Sequence, residues 1–195
     1  MTTLDGLISL LHILSALFMV WPLYALISVN ERKAVTASLG DEVDTYMENI
    51  LKKQSGRCYI FQLTALLTGL YLWSHGDFGV KLDSEPNLLM LGKLLGLFIL
   101  MGLLSYVVYV LQPKIDNLFS LLQTEGDENL TKQLNALRGQ RKRFAATCLS
   151  VLLATIIFAV QINETLPLEI NAILLGLAVL FSYRVYLSNI PYGWV

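Results

Sequence analysis

Leu7 to Val29 is 23 consecutive residues without a charge. A helix needs about 20 mostly apolar residues to cross a hydrocarbon core roughly 30 Å thick. Four more blocks read the same way: Cys58 to Trp73, which reaches an interface only with Ser74 and His75; Leu88 to Leu111, interrupted by Lys93; Phe144 to Ile162; and Leu168 to Leu187, carrying Arg184. Hydrophobic residues make up 55% of the 195 and charged residues 15%, against roughly 25% charged in globular domains. That balance excludes a disordered tail and a disulfide-stapled secreted domain. The net charge of −1 offers nucleic acid no global attraction. The expectation is an all-α membrane protein, one integral membrane domain over 1–195, folded as a five-transmembrane-helix bundle with spans about 7–29, 58–75, 88–111, 144–162 and 168–187.

Positive residues stay on the cytoplasmic side near helix ends. The segment between blocks one and two holds Arg32, Lys33, Lys52, Lys53 and Arg57, and that between blocks three and four holds Lys114, Lys132, Arg138, Arg141, Lys142 and Arg143, together 11 of 14 basic residues. This puts the N-terminus outside, both long loops and the C-terminus in the cytoplasm, and the chain in a bacterial or archaeal cytoplasmic membrane. The start lacks the positive region of a cleaved signal peptide, so block one is expected to persist.

Both long loops show helical spacing and are expected to form amphipathic helices, lying on the membrane or extending the spans. In the first, Val43, Tyr46, Met47, Ile50 and Leu51 recur at that spacing; the second is broken at Glu125-Gly126-Asp127. The basic run Arg141-Lys142-Arg143 is expected to anchor block four at lipid headgroups. Cys58 and Cys148 read as small apolar fillers. Asn163 to Pro167 makes a tight turn between the last two blocks, and Gln62 and Gln161 read as hydrogen-bond partners between helices.

The two histidines, His12 and His75, both fall toward the outer face on separate spans. Each neutral imidazole can offer a nitrogen to an axial position of haem b. Ser9, Ser15 and Ala16 flank His12 with small side chains, Met19 lies on the same side, and Thr64, Thr68, Tyr71 and His75 form one polar stripe. The competing reading is an interfacial histidine bonded to water or headgroups. Lys93 sits five or six residues into span three, within Gly92-Lys93-Leu94-Leu95-Gly96. It is a partner for a haem propionate, an anionic substrate, or Asp77, Asp83 or Glu85, unless its stem simply snorkels to headgroups. The Gly92–Gly96 pair allows close helix approach.

Leu11-His12-Ile13-Leu14-Ser15-Ala16-Leu17-Phe18-Met19-Val20-Trp21 resembles the first helix of copper-resistance CopD-like membrane proteins, which begin with a Leu-His pair and carry a later Trp. Leu67 to Leu72 and Leu137 to Phe144 resemble an uncharacterised branch of small integral membrane proteins in that group. Lys93 is similar to a lysine of the HemJ-type protoporphyrinogen oxidases, whose haem is held by a first-helix histidine; the resemblance maps that histidine onto His12. The chain departs from the HemJ-type pattern after Trp21, where Pro22-Leu23-Tyr24-Ala25 lacks the arginine and later histidine. The expected function is a haem b-binding redox or electron-transfer protein, with His12 and His75 as ligands, Lys93 beside the cofactor, and lipid, quinone or a larger membrane complex as partners. A haem-dependent oxidoreductase activity, a cofactor-free scaffold subunit, copper handling and a homo-oligomer are the alternatives.

Overall fold

The structure, a computed structural model, describes residues 3–30, 41–75, 85–125, 128–161 and 166–187. Five helices carry nearly all of them, and no strand occurs among the described residues. Helix α1 is Thr3–Asn30 and α2 is Asp41–His75. The third, α3, runs over 85–125 and contains a π-helical segment, Val107–Leu111, between Glu85–Tyr106 and Gln112–Glu125. Helix α4 is Glu128–Val160 and α5 is Leu168–Leu187.

The helical loop segments are not separate surface elements. Val43 to Leu51 runs straight into span two as a single helix of 35 residues. Span three likewise continues to Glu125, where the expected polar break falls. Continuity through Pro113 has a local cause. Proline has no N–H and its ring crowds the carbonyl four residues back, here that of Tyr109, inside the π-helical segment. There the helix widens, and Gln112 N–H donates to Val107 O, five residues back.

Four stretches are long and apolar enough to cross a membrane: Thr3–Ala25, Leu89–Gln123, Glu128–Val160 and Leu168–Leu187. They point to a membrane protein. The apolar half of α2 carries Gln62, Thr64 and Thr68, and so falls short of that measure.

Helix α4 is the hub, packed against α1, α3 and α5, while α1 runs along α2, and α2 meets α3 through polar bonds such as Tyr59 Oη to Ser105 Oγ at 2.8 Å. Met19, Leu23, Ile27, Cys58, Leu100, Leu104, Leu149 and Leu152 form the main core. Both cysteines are therefore buried filler, as expected. Beyond it, Leu111, Ile115 and Leu134 join Leu118, Phe119 and Leu137 in a smaller core between the extensions of α3 and α4. Gly96 is a close-packing site, because a Cβ there would stand 2.5 Å from Thr155 Oγ1. Gly92 faces open space, so only half of that glycine pair is used. Gln161 Nε2 donates to Asn171 Oδ1 at 2.6 Å and joins α4 to α5, whereas Gln62 bonds only Cys58 of its own helix. Of the turn expected between them, residues 163–165 lie outside the described residues.

Candidate functional site

One end of the bundle holds a half-open cavity of about 590 Å³. Each wall is one face of a helix, read at spacings of three and four: His12, Ala16 and Met19 from α1; Ala65, Gly69 and Trp73 from α2; Met90, Lys93 and Leu97 from α3; Leu152, Thr155 and Ala159 from α4. The volume lies within the range of about 300–1,000 Å³ typical of ligand and cofactor sites. Its lining is apolar apart from His12, Lys93 and Thr155.

His12 is held by α2. Its Nδ1 lies 3.0 Å from Thr68 Oγ1. The Thr68 hydroxyl has one proton, which it donates to Thr64 O at 2.6 Å, with Ala65 O a longer second acceptor at 3.3 Å. With that proton on Thr64 O, Thr68 accepts from His12, which is the tautomer protonated on Nδ1. This leaves Nε2 with its lone pair, as a metal ligand or a base requires. Gly69 makes room for the ring, since a Cβ there would stand 3.0 Å from His12 Cε1. Of the small neighbours, Ala16 lines the cavity, while Ser15 is buried and donates to Leu11 O at 2.7 Å.

Lys93 shares the cavity with His12. Of the carboxylates expected beside it, Asp77 and Asp83 lie outside the described residues, as does the side chain of Glu85. His75 is not brought to this cavity. It ends α2 as an exposed residue, stacked on Tyr71 with centroids 4.2 Å apart and with Nδ1 2.8 Å from Ser74 Oγ. Six residues separate it from Gly69, about 9 Å along the helix. Among the described residues no group of three or more His, Cys, Asp or Glu side chains converges to hold a metal ion.

A second buried polar centre escaped the sequence reading. Arg141 is not a headgroup anchor: it is 2% exposed, and its guanidinium forks onto Glu48, Nη1 to Oε1 at 2.5 Å and Nη2 to Oε2 at 3.2 Å. Nη1 also donates to Gln112 Oε1 at 2.8 Å, and Arg138 pairs with Asp44 at 2.7 Å. The cause is a face of α2 on which Asp44, Glu48, Leu51, Ser55, Cys58, Gln62, Ala65 and Gly69 alternate at spacings of four and three. All but Gly69 are buried, so this face carries ionic groups at one end and small residues beneath the cavity at the other. The signal was available as that alternation running through both the charged and the apolar halves.

Comparison with known proteins adds nothing to this geometry: no family model, no curated protein and no solved structure matches the chain.

Proposed function

We propose that the chain is a five-span membrane protein, N-terminus outside and C-terminus cytoplasmic, that holds haem b in this cavity and serves redox or electron-transfer chemistry near the outer face. The observation that carries the reading is the hydrogen-bond chain His12–Thr68–Thr64, which leaves an unprotonated Nε2 on a residue lining an apolar cavity of cofactor size. When bound, haem would supply a one-electron couple, and His12 would hold it. The remaining roles belong to the chain itself. Thr68 fixes the tautomer and orientation of His12, Gly69 gives the ring a flat contact, the apolar walls exclude water, and Lys93 neutralises a carboxylate in a medium where an unpaired charge is costly. The CopD-like and HemJ-like resemblance of the first helix rests on the same histidine and belongs to this proposal. So does quinone or a larger membrane complex as electron partner. His75 has no part in the ligation proposed here.

The test is the haem content of detergent-purified protein expressed with ample haem. About one haem per chain is expected, falling to near zero in His12→Ala; haem-free wild-type protein would refute the reading. Met19 and Met90, whose soft thioethers line the same cavity, favour a second reading as a copper site. Stoichiometric copper in place of haem, lost on substituting His12 or Met19, would establish that reading instead.

A further inference from the structure

The cavity has a mouth and a floor as well as a polar wall. Four of its lining residues are also exposed on the outside of the bundle: Ile13 60%, Leu17 61%, Leu70 42% and Val160 54%. All four are aliphatic, and Ile13, Leu17 and Val160 belong to stretches apolar enough to cross a membrane. A mouth of this composition suits contact with acyl chains. The floor is made by Met19, Leu100 and Leu152, each at most 3% exposed. Leu100 stands seven residues beyond Lys93 on α3, about 10 Å along the helix.

Three polar side chains stand between mouth and floor. Thr155 donates its one proton to Val151 O at 2.8 Å, and His12 Nδ1 is engaged by Thr68. Lys93 differs: among the described residues none forms an ion pair or hydrogen bond with its ammonium. It brings one positive charge and three donors to an apolar wall within a membrane-spanning stretch, where an unpaired charge is costly. The group that matches it carries one negative charge on acceptor oxygens. A larger polar headgroup would bury atoms that this lining cannot satisfy. The rest of the ligand must be apolar, to suit the floor and the mouth.

We infer that the cavity is a site for a long-chain fatty acid of the bilayer, its carboxylate on Lys93 and its chain between the floor at Leu100 and the aliphatic mouth. The ion pair selects the carboxylate, and the apolar depth distinguishes an amphiphile from a small anion. His12 takes no part, so the inference does not rest on the haem reading. Fatty acid and haem would fill the same space and exclude one another.

Native mass spectrometry of the purified full-length chain carrying His12→Ala, which keeps the cavity free of haem, tests the inference with palmitate as the probe. About one palmitate per chain is expected. Adding Lys93→Met, which keeps an apolar side chain of similar length, is expected to weaken retention roughly tenfold or more, as for the loss of a hydrogen-bonded charge. Hexadecanol has the same chain without the charge and is expected to bind weaker than palmitate by a similar factor. No palmitate on the His12→Ala protein, equal retention after Lys93→Met, or equal binding of hexadecanol would overturn the inference. So would displacement of palmitate by equimolar butyrate, which would make this a small-anion site with no use for the apolar depth. A haem-free wild type that retains palmitate refutes the haem reading alone. A haem-loaded wild type whose His12→Ala form retains no palmitate refutes this inference alone.

Discussion

His12 owes its placement to two small features of α2, a hydroxyl and a missing side chain. Replacing Gly69 with Ala puts a Cβ 3.0 Å from His12 Cε1, and the ring must shift. Thr68→Val removes the acceptor that fixes the proton on Nδ1. Both variants are expected to stay folded and to lower haem affinity, Thr68→Val by about 10- to 100-fold as for other residues that support a ligating histidine. Haem titration of the purified variants measures this, and unaltered affinity in both would remove the role assigned to α2. Arg141 gives a prediction about stability. Arg141→Ala leaves Glu48 buried without its fork and is expected to cost about 3–5 kcal/mol in detergent unfolding, whereas replacing Arg141 by Met together with Glu48 by Leu is expected to recover most of that loss. Equal losses in the single and double variants would show that the cost does not come from a stranded Glu48 carboxylate. His12 and Lys93 were both legible in the sequence, because polar groups in a long apolar block stand out. Arg141 was misread, since a basic run has the same composition whether one member turns inward or all face solvent, and only the distant Glu48 decides.

Among the helices, α2 shows most clearly how far sequence periodicity reaches. Its apolar half and its amphipathic half were each recognised, but their union into one helix depends on the phase shared by Asp44, Glu48, Ser55, Cys58, Gln62 and Gly69. Hydropathy averages over that phase, because polar and apolar residues take turns along the buried face. The π-helical segment of α3 lay behind a visible proline, but the widened turn depends on how the chain accommodates Pro113, which composition does not specify. The two glycines of α3 separate contact from coincidence. Gly96→Val must push Thr155 aside and is expected to destabilise the α3–α4 pair by about 1–3 kcal/mol. At Gly92, where a Cβ meets open space, the same substitution is expected to change stability by about 0.5 kcal/mol or less. Thermal or denaturant unfolding of the two variants decides it, and equal effects would count against close packing at Gly96.

The helices of the whole molecule run so that the N-terminal part of α1, the C-terminal part of α2, the start of α3 and the end of α4 meet around one cavity. The buried ion pairs and the exposed cations lie toward the other end. Both native cysteines are buried, so single cysteines added at exposed sites can report sidedness. In intact cells Thr3→Cys is expected to react with an impermeant maleimide, and Ala136→Cys only after permeabilisation; the reverse pattern would invert the proposed orientation. Four helices long and apolar enough to cross a membrane could be read from the chain, since that follows from where charges interrupt it. Which helices enclose the cavity could not, because that depends on α4 packing between α1 and α3. It is this packing that unites His12 with Lys93 and leaves His75 outside. The most direct measurement is therefore the optical spectrum of the purified protein, oxidised and then dithionite-reduced, for the wild type, His12→Ala and His75→Ala. A Soret band in the wild type that disappears in His12→Ala and is unchanged in His75→Ala is the expected result. A featureless wild-type spectrum, or a Soret band that survives the loss of His12, would contradict a haem held by His12 in this cavity.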